Sequence, residues 1–168
     1  MYQQTVVPFT KMLENLSKWI DVAEEHAKTK KFEPNTWTTA RLIADQYPFA
    51  RQVQAACDAA KISVSRLTAK EAPKHEDNET TLDELRQRIH KCTTYLKTIQ
   101  PEDFKGSEER RITLPWFEGK SFSGEYYLNH FAMQNFYFHI TTAFAILRSN
   151  GVDIGKMAYI GGLEFDKQ

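Results

Sequence analysis

Cysteine is scarce. The 168 residues hold two, Cys57 and Cys92, with no CxxC pair and no Cys/His spacing suited to structural zinc. That excludes a disulfide-stapled scaffold and a zinc-finger module. Each cysteine falls on the apolar stripe of an expected helix, so both are read as buried free thiols in a reducing compartment. Long hydrophobic runs are missing too. No stretch approaches the roughly 18 apolar residues of a membrane span. The N-terminal "MYQQTVVPF" has neither a basic n-region nor a long apolar run, so no secretory signal is read there. A cytoplasmic location is the expectation. Charge of one sign is also lacking, since 22 Lys and Arg balance 22 Asp and Glu. The charges are interspersed, whereas a nucleic-acid binder carries a basic face. The longest basic cluster, Lys28 to Lys31, sits at a helix end, where cations favour the dipole. Neither nucleic acid nor membrane is an expected partner. Gly-rich phosphate loops and evident Ser or Cys nucleophile motifs are absent as well.

What is present describes one soluble globular domain spanning residues 1–168. Apolar residues make up 41% and charged residues 26%, an ordinary globular profile. A chain of this size buries roughly two-thirds of its unfolded surface. Phe9, Met12, Leu13, Leu16, Trp19, Ile20 and Ala23 recur at three- and four-residue steps, one stripe of an amphipathic helix. "EPNT" at 33–36 is a break, with Asn35 or Thr36 placed to cap the next helix. A second stripe runs through Ile43, Tyr47, Ala50, Val53, Cys57, Ala60, Val64 and Leu67. Pro48 lies inside it, and the helix either kinks there, the favoured reading, or starts there. After the polar loop "EAPKHEDNET", Thr81 and Glu84 form a capping-box pattern. A third helix follows through Leu82, Leu85, Ile89, Cys92, Leu96 and Ile99.

Between Pro101 and Gly124 the helical period is lost. "RITLPWF" and "KSFSG" flank an "EGK" turn, the pattern of a short hairpin or an irregular excursion. A fourth helix runs from about Glu125 to Asn150–Gly151, a typical C-cap pair. Residues 152–168 read as an extended tail lying on the bundle. The expected fold is all-α, a four-helix bundle with one long connection between helices three and four. The fourth helix is apolar on most sides. Its second face is covered by the tail and the hairpin or by a second subunit, and a homodimer is preferred. Trp116 and Phe117 are placed to form a lid over the Asp45/His139 end.

"TWTTARLIADQYPFARQV" followed by "NFYFHITTAFAILRSNGV" resembles the DinB/YfiT-like superfamily of four-helix bundles, and nearly the whole chain is covered. The resemblance implies a cytoplasmic, often dimeric bundle. It also implies a metal held by three histidines, one from the second helix and two from the last, which some members use to activate a small thiol for transfer to an electrophile. The first ligand follows the tryptophan opening helix two by eight residues, which here is Asp45. The other two sit four apart on the last helix, here Asn135 and His139. Only one imidazole survives at these positions. A carboxamide oxygen is a weak donor to zinc, iron or nickel. His130 lies nine residues before His139, roughly half a turn out of phase. His26, His75 and His90 are off the core stripe or outside the helices. No cofactor is therefore expected; a divalent transition metal such as zinc or nickel, if held, would use Asp45, Asn135 and His139.

Three alternatives remain for His139. It is a core histidine bonded to Asp45 or a backbone carbonyl, a member of a metal-free small-molecule pocket with Asp45 and Asn135, or a metal ligand. An Asp–His pair would fix one tautomer and raise its basicity, as a general base requires. The expected function is a degenerate bundle binding a small molecule or partner. The alternative is a thiol-transferase or hydrolase with His139 and Asp45 as the catalytic candidates.

Overall fold

The computed structural model describes residues 1–163 and 165. Glu164 and residues 166–168, which belong to the expected tail, lie outside the described residues. Helix α1 (Val6–Lys30) buries its stripe completely at Phe9, Leu13, Leu16, Ile20 and Ala23. It closes at Lys31 in left-handed backbone, where the Phe32 amide returns to the Ala27 carbonyl at 3.0 Å, a Schellman-type end. Helices α2 (Phe49–Thr68) and α3 (Leu82–Thr98) follow, then strands β1 (Arg111–Thr113) and β2 (Ser121–Ser123). The expected last helix runs unbroken in three parts: α4 (Gly124–Tyr127), a π turn (Leu128–Ala132) and α5 (Met133–Ser149). A short α6 (Lys156–Ile160) ends the described fold.

The bundle consists of α1, α2, α3 and α5. Both α1 and α2 pack chiefly on α3 and α5, which makes α1/α2 and α3/α5 the diagonal pairs. Each diagonal is spanned by a long connection, residues 31–48 and 99–123. The second expected helix needs correcting. It begins at Phe49, with Pro48 as N-cap in extended backbone (ψ 165°), because proline has no amide to donate inside a helix. Upstream, Pro34–Thr39 is a separate 3-10 turn, and an irregular loop is pinned where the Phe49 amide donates to the Ala40 carbonyl at 2.8 Å. Ile43 and Tyr47, assigned to the apolar stripe, are 58% and 53% exposed. Glu33 caps the 3-10 turn; Asn35 instead accepts from the Leu82 amide at the start of α3, beside the Thr81–Glu84 capping box.

The polar 69–80 loop has no secondary structure of its own and is held by charge. The Arg88 side chain is 1% exposed and donates to Asp58 at 2.7 Å, Asp77 at 2.8 Å and Glu79 at 3.0 Å. Lys61 reaches Asp58 at 3.1 Å and the Pro73 carbonyl at 2.7 Å, while Arg51 pairs with Asp77. Burial raises the Asp77 carboxyl, but hydrogen bonds from Arg88 and Arg51 outweigh it and hold the group below its ordinary range. Cys57 and Cys92 are fully buried free thiols where α2 meets α3, as expected. Their mutual contact and their burial push the Cys57 thiol well above its ordinary range.

The hairpin forms in the antiparallel register Arg111↔Ser123, Thr113↔Ser121. Gly124 follows it at a place no side chain fits, since a Cβ there would lie 1.8 Å from the Ser107 carbonyl oxygen. The tail is corrected from extended to partly helical. Asn15 and Trp19 of α1 donate to the carbonyls of Tyr159 and Ala158 at 3.1 and 3.0 Å, and the Trp19 and Tyr159 rings stack. The tail packs on Phe144 through Tyr159 and the insertion on Phe131 through Trp116, but the second face, that of Phe138, is left open. Phe138 and Tyr126 stay 54% and 52% exposed. Among the described residues no helix is long and apolar enough to cross a membrane.

Candidate functional site

His139 sits on the face of α5 that packs on α2, and its Nδ1 lies 2.8 Å from Oε1 of Gln52. The Gln52 amide is oriented by a second bond, Nε2 donating to the Tyr47 carbonyl at 3.2 Å. An amide oxygen only accepts, so Nδ1 of His139 carries the proton and Nε2 keeps its lone pair. Burial, then the positive field of Arg51, lowers the imidazole pKa below its ordinary value, so the ring is neutral at pH 7. The expected partner was Asp45 or a backbone carbonyl; a buried glutamine takes that place. Glutamine fixes the tautomer as aspartate would, but without the charge that raises basicity.

Asp45 lies in the exposed 40–48 loop, outside the cavity that His139 lines. Eight steps from Trp37 identify a helical position only if residues 37–45 are helical, and here a 3-10 turn ends at Thr39 and an irregular loop carries Asp45. Asn135 and His139 are brought together: both line a cavity of about 300 Å³ along the α2–α5 groove. Its walls include Arg51, Asp58, Ser63 and Arg66 of α2, Tyr127 and Phe131, with Trp116 of the hairpin. Arg51 and Ser63, both in its wall, are twelve residues apart, about 18 Å along the helix, so the cavity is elongated. The His139 end and the Tyr127 end are distinct. Trp116 packs at the second, 6.0 Å from Phe131 between ring centroids, rather than over His139 as the lid expectation had it. Phe117 lines a separate hollow at the hairpin.

The π turn is what puts Tyr127 in this groove. On an uninterrupted helix Tyr127 and His139 would be about 120° out of phase at about 100° per residue. A π turn acts as one inserted residue and leaves them about 20° apart. Tyr127 is buried, with its hydroxyl 3.2 Å from Ser63 Oγ and accepting from Arg66 Nη1 at 3.2 Å. The Arg66 guanidinium carbon also lies 5.9 Å from the Tyr127 ring centre.

Sequence reasoning missed Gln52, Ser63, Arg66 and Tyr127. A signal for the first two existed. Gln52, Ala56, Ala59 and Ser63 recur at steps of four, three and four, a second stripe of small and polar residues beside the apolar one.

A transition metal on the three-histidine pattern does not fit these side chains. His139 offers one nitrogen, Asn135 a weak neutral oxygen, and the Gln52 oxygen is occupied by His139. The Asp58 carboxylate is engaged by Arg88 and Lys61. Among the described residues no group of three or more His, Cys, Asp or Glu is placed to hold an ion.

The model of a domain of unknown function, DUF1993, matches residues 1–160. The crystal structure of a DinB family member protein from Shewanella denitrificans is 46% identical in sequence. The match covers 99% of this chain and 95% of that one, with a TM-score of 0.96. No curated protein matches the chain.

Proposed function

The chain belongs to the DUF1993 family and has the DinB fold, and from that premise we propose that it binds a small molecule in the α2–α5 cavity without a tightly held metal. One observation carries this. The side chains that converge on the cavity include hydrogen-bonding groups left unused by the fold, within a wall of Ala55, Ala59, Phe131 and Trp116. The half-buried His139 lone pair and Asn135 carboxamide have no protein partner among the described residues, so both are available to a guest in the cavity. Concave, mostly apolar sites with a few convergent polar groups are the usual form of ligand pockets, and about 300 Å³ is the small end of their range.

Thermal unfolding with a panel of neutral, anionic and cationic small metabolites tests this, run on wild type and on Ala55→Phe, which fills the groove. A true ligand at about 100 times its Kd stabilises wild type by about 2.7 kcal/mol and leaves the filled variant unmoved. If no compound stabilises wild type, or every shift survives in Ala55→Phe, the cavity is not a binding site.

The same groove supports a second reading, a metal-free enzyme in which Nε2 of His139 takes a proton from a bound substrate. The fixed tautomer favours it; the absence of a carboxylate behind the ring leaves that base weak.

A further inference from the structure

Hydrogen-bond donors and charge are not balanced along this cavity. Of the charged groups lining it, Arg51 is paired with Asp77 and Asp58 is held by Arg88 and Lys61. Arg66 has no carboxylate within 4 Å among the described residues, and its one hydrogen bond is to the Tyr127 hydroxyl. A guanidinium offers five N–H donors in a rigid fork, and four of them remain. Ser63 and Tyr127 add another. Their hydroxyls share two protons but only one mutual contact, so whichever donates, one buried O–H remains for an acceptor. Trp116 and Phe131 supply flat apolar surface next to these donors.

Resting on the reading of the cavity as a ligand site, we propose that its Tyr127 end is an oxyanion subsite. There Arg66 and the Ser63/Tyr127 hydroxyl pair bind the carboxylate or phosphate group of a small molecule whose flat apolar portion lies against Trp116 and Phe131. The arrangement suits an oxyanion for two reasons. The free fork of Arg66 matches the two oxygens of a carboxylate or phosphate bidentately. A neutral guest would leave donors unpaired, and a cation would be repelled by Arg66. This end depends on the π turn and lies about a dozen residues along the helix from His139, so it is separate from the Asn135/His139 pair.

Isothermal titration with benzoate, phenyl phosphate, benzyl alcohol and benzylamine tests the subsite. The two anions share the apolar group and separate carboxylate from phosphate; the other two keep the ring and change the charge. At least one anion is expected to bind about tenfold or more tightly than benzyl alcohol, and benzylamine not at all. Arg66→Gln should weaken that anion about tenfold or more, Arg66→Lys less, since a point charge remains without the fork. Ser63→Ala gives a second variant should Arg66→Gln not fold. Equal affinity for benzyl alcohol and the anions, or anion binding unchanged in Arg66→Gln and Ser63→Ala, overturns the oxyanion subsite and leaves the cavity reading standing. Binding of none of the four at millimolar concentration, with no hit in the metabolite panel, overturns both.

Discussion

Replacing Arg88 by Met removes the cation around which the 69–80 loop is organised. The Arg88 side chain is 1% exposed and holds three carboxylates, Asp58, Asp77 and Glu79, at 2.7 to 3.0 Å. Met fills much of the same space, so little cavity is created and the loss is electrostatic. Removing one partner from a buried ionic group costs about 3–5 kcal/mol, because the remaining charges are left uncompensated. The lower end applies here. Asp58 and Asp77 are 28% and 33% exposed, and each keeps another cation, Lys61 and Arg51. Glu79 keeps a bond from Gln54 at 2.9 Å. About 3 kcal/mol in a chain of this size lowers Tm by about 6–12 °C. Far-UV circular dichroism at pH 7 measures it, with a urea titration to confirm an unchanged m-value.

The loss should depend on pH. Asp77 has a folded pKa held below its unfolded value, so the unfolded chain binds more protons as pH falls. Its contribution is present above the ordinary carboxyl range and disappears below it. The gap between wild type and Arg88→Met should therefore narrow below about pH 4. A variant within about 2 °C of wild type at pH 7 would show that the ion network contributes nothing net, and that the loop is held by its backbone contacts alone.

Two further outcomes concern the histidines. His139 has a lowered folded pKa and His75 is lowered to about 4, in both cases chiefly through burial. The unfolded chain then takes up protons first, so stability is complete above about pH 6.5 and falls as pH drops from there toward 4. Tm should be lower at pH 5 than at pH 7.5, and the imidazole proton resonances of His139 and His75 should titrate below pH 6.5. Titration of His139 at or above 6.5 would refute its half-buried, neutral state. Restoring nitrogen donors should create a metal site: Gln52→His with Asn135→His adds two imidazoles to His139, two of the three at i, i+4 on one face of α5. The double variant should bind zinc stoichiometrically by elemental analysis and gain Tm on zinc addition, whereas untagged wild type should do neither. Stoichiometric zinc, iron or nickel in wild type would overturn the degenerate site.

Sequence periodicity already determined the bundle. The three- and four-residue spacing of Phe9 to Ala23 and of Val53 to Leu67 encodes which face of each helix must be buried, and burial of apolar area is the term that forms helices in tandem. The Thr81–Glu84 cap, the hairpin around "EGK" and the free cysteines were legible for the same local reason. Which polar groups would meet was not. Spacing placed Asp45 beside His139 only on the assumption of a continuous helix, and Pro48 starts that helix afresh at Phe49. Gln52 then occupies the place across from His139. The π turn shifts Tyr127 by a residue's worth of rotation, about 100°, from one side of the last helix into the groove. Periodicity survives such local breaks because it averages over many residues. A site depends on the angular position of single side chains, and one inserted residue or one missing helical turn moves each of them to another face. That phase was settled only when α2 and α5 packed together.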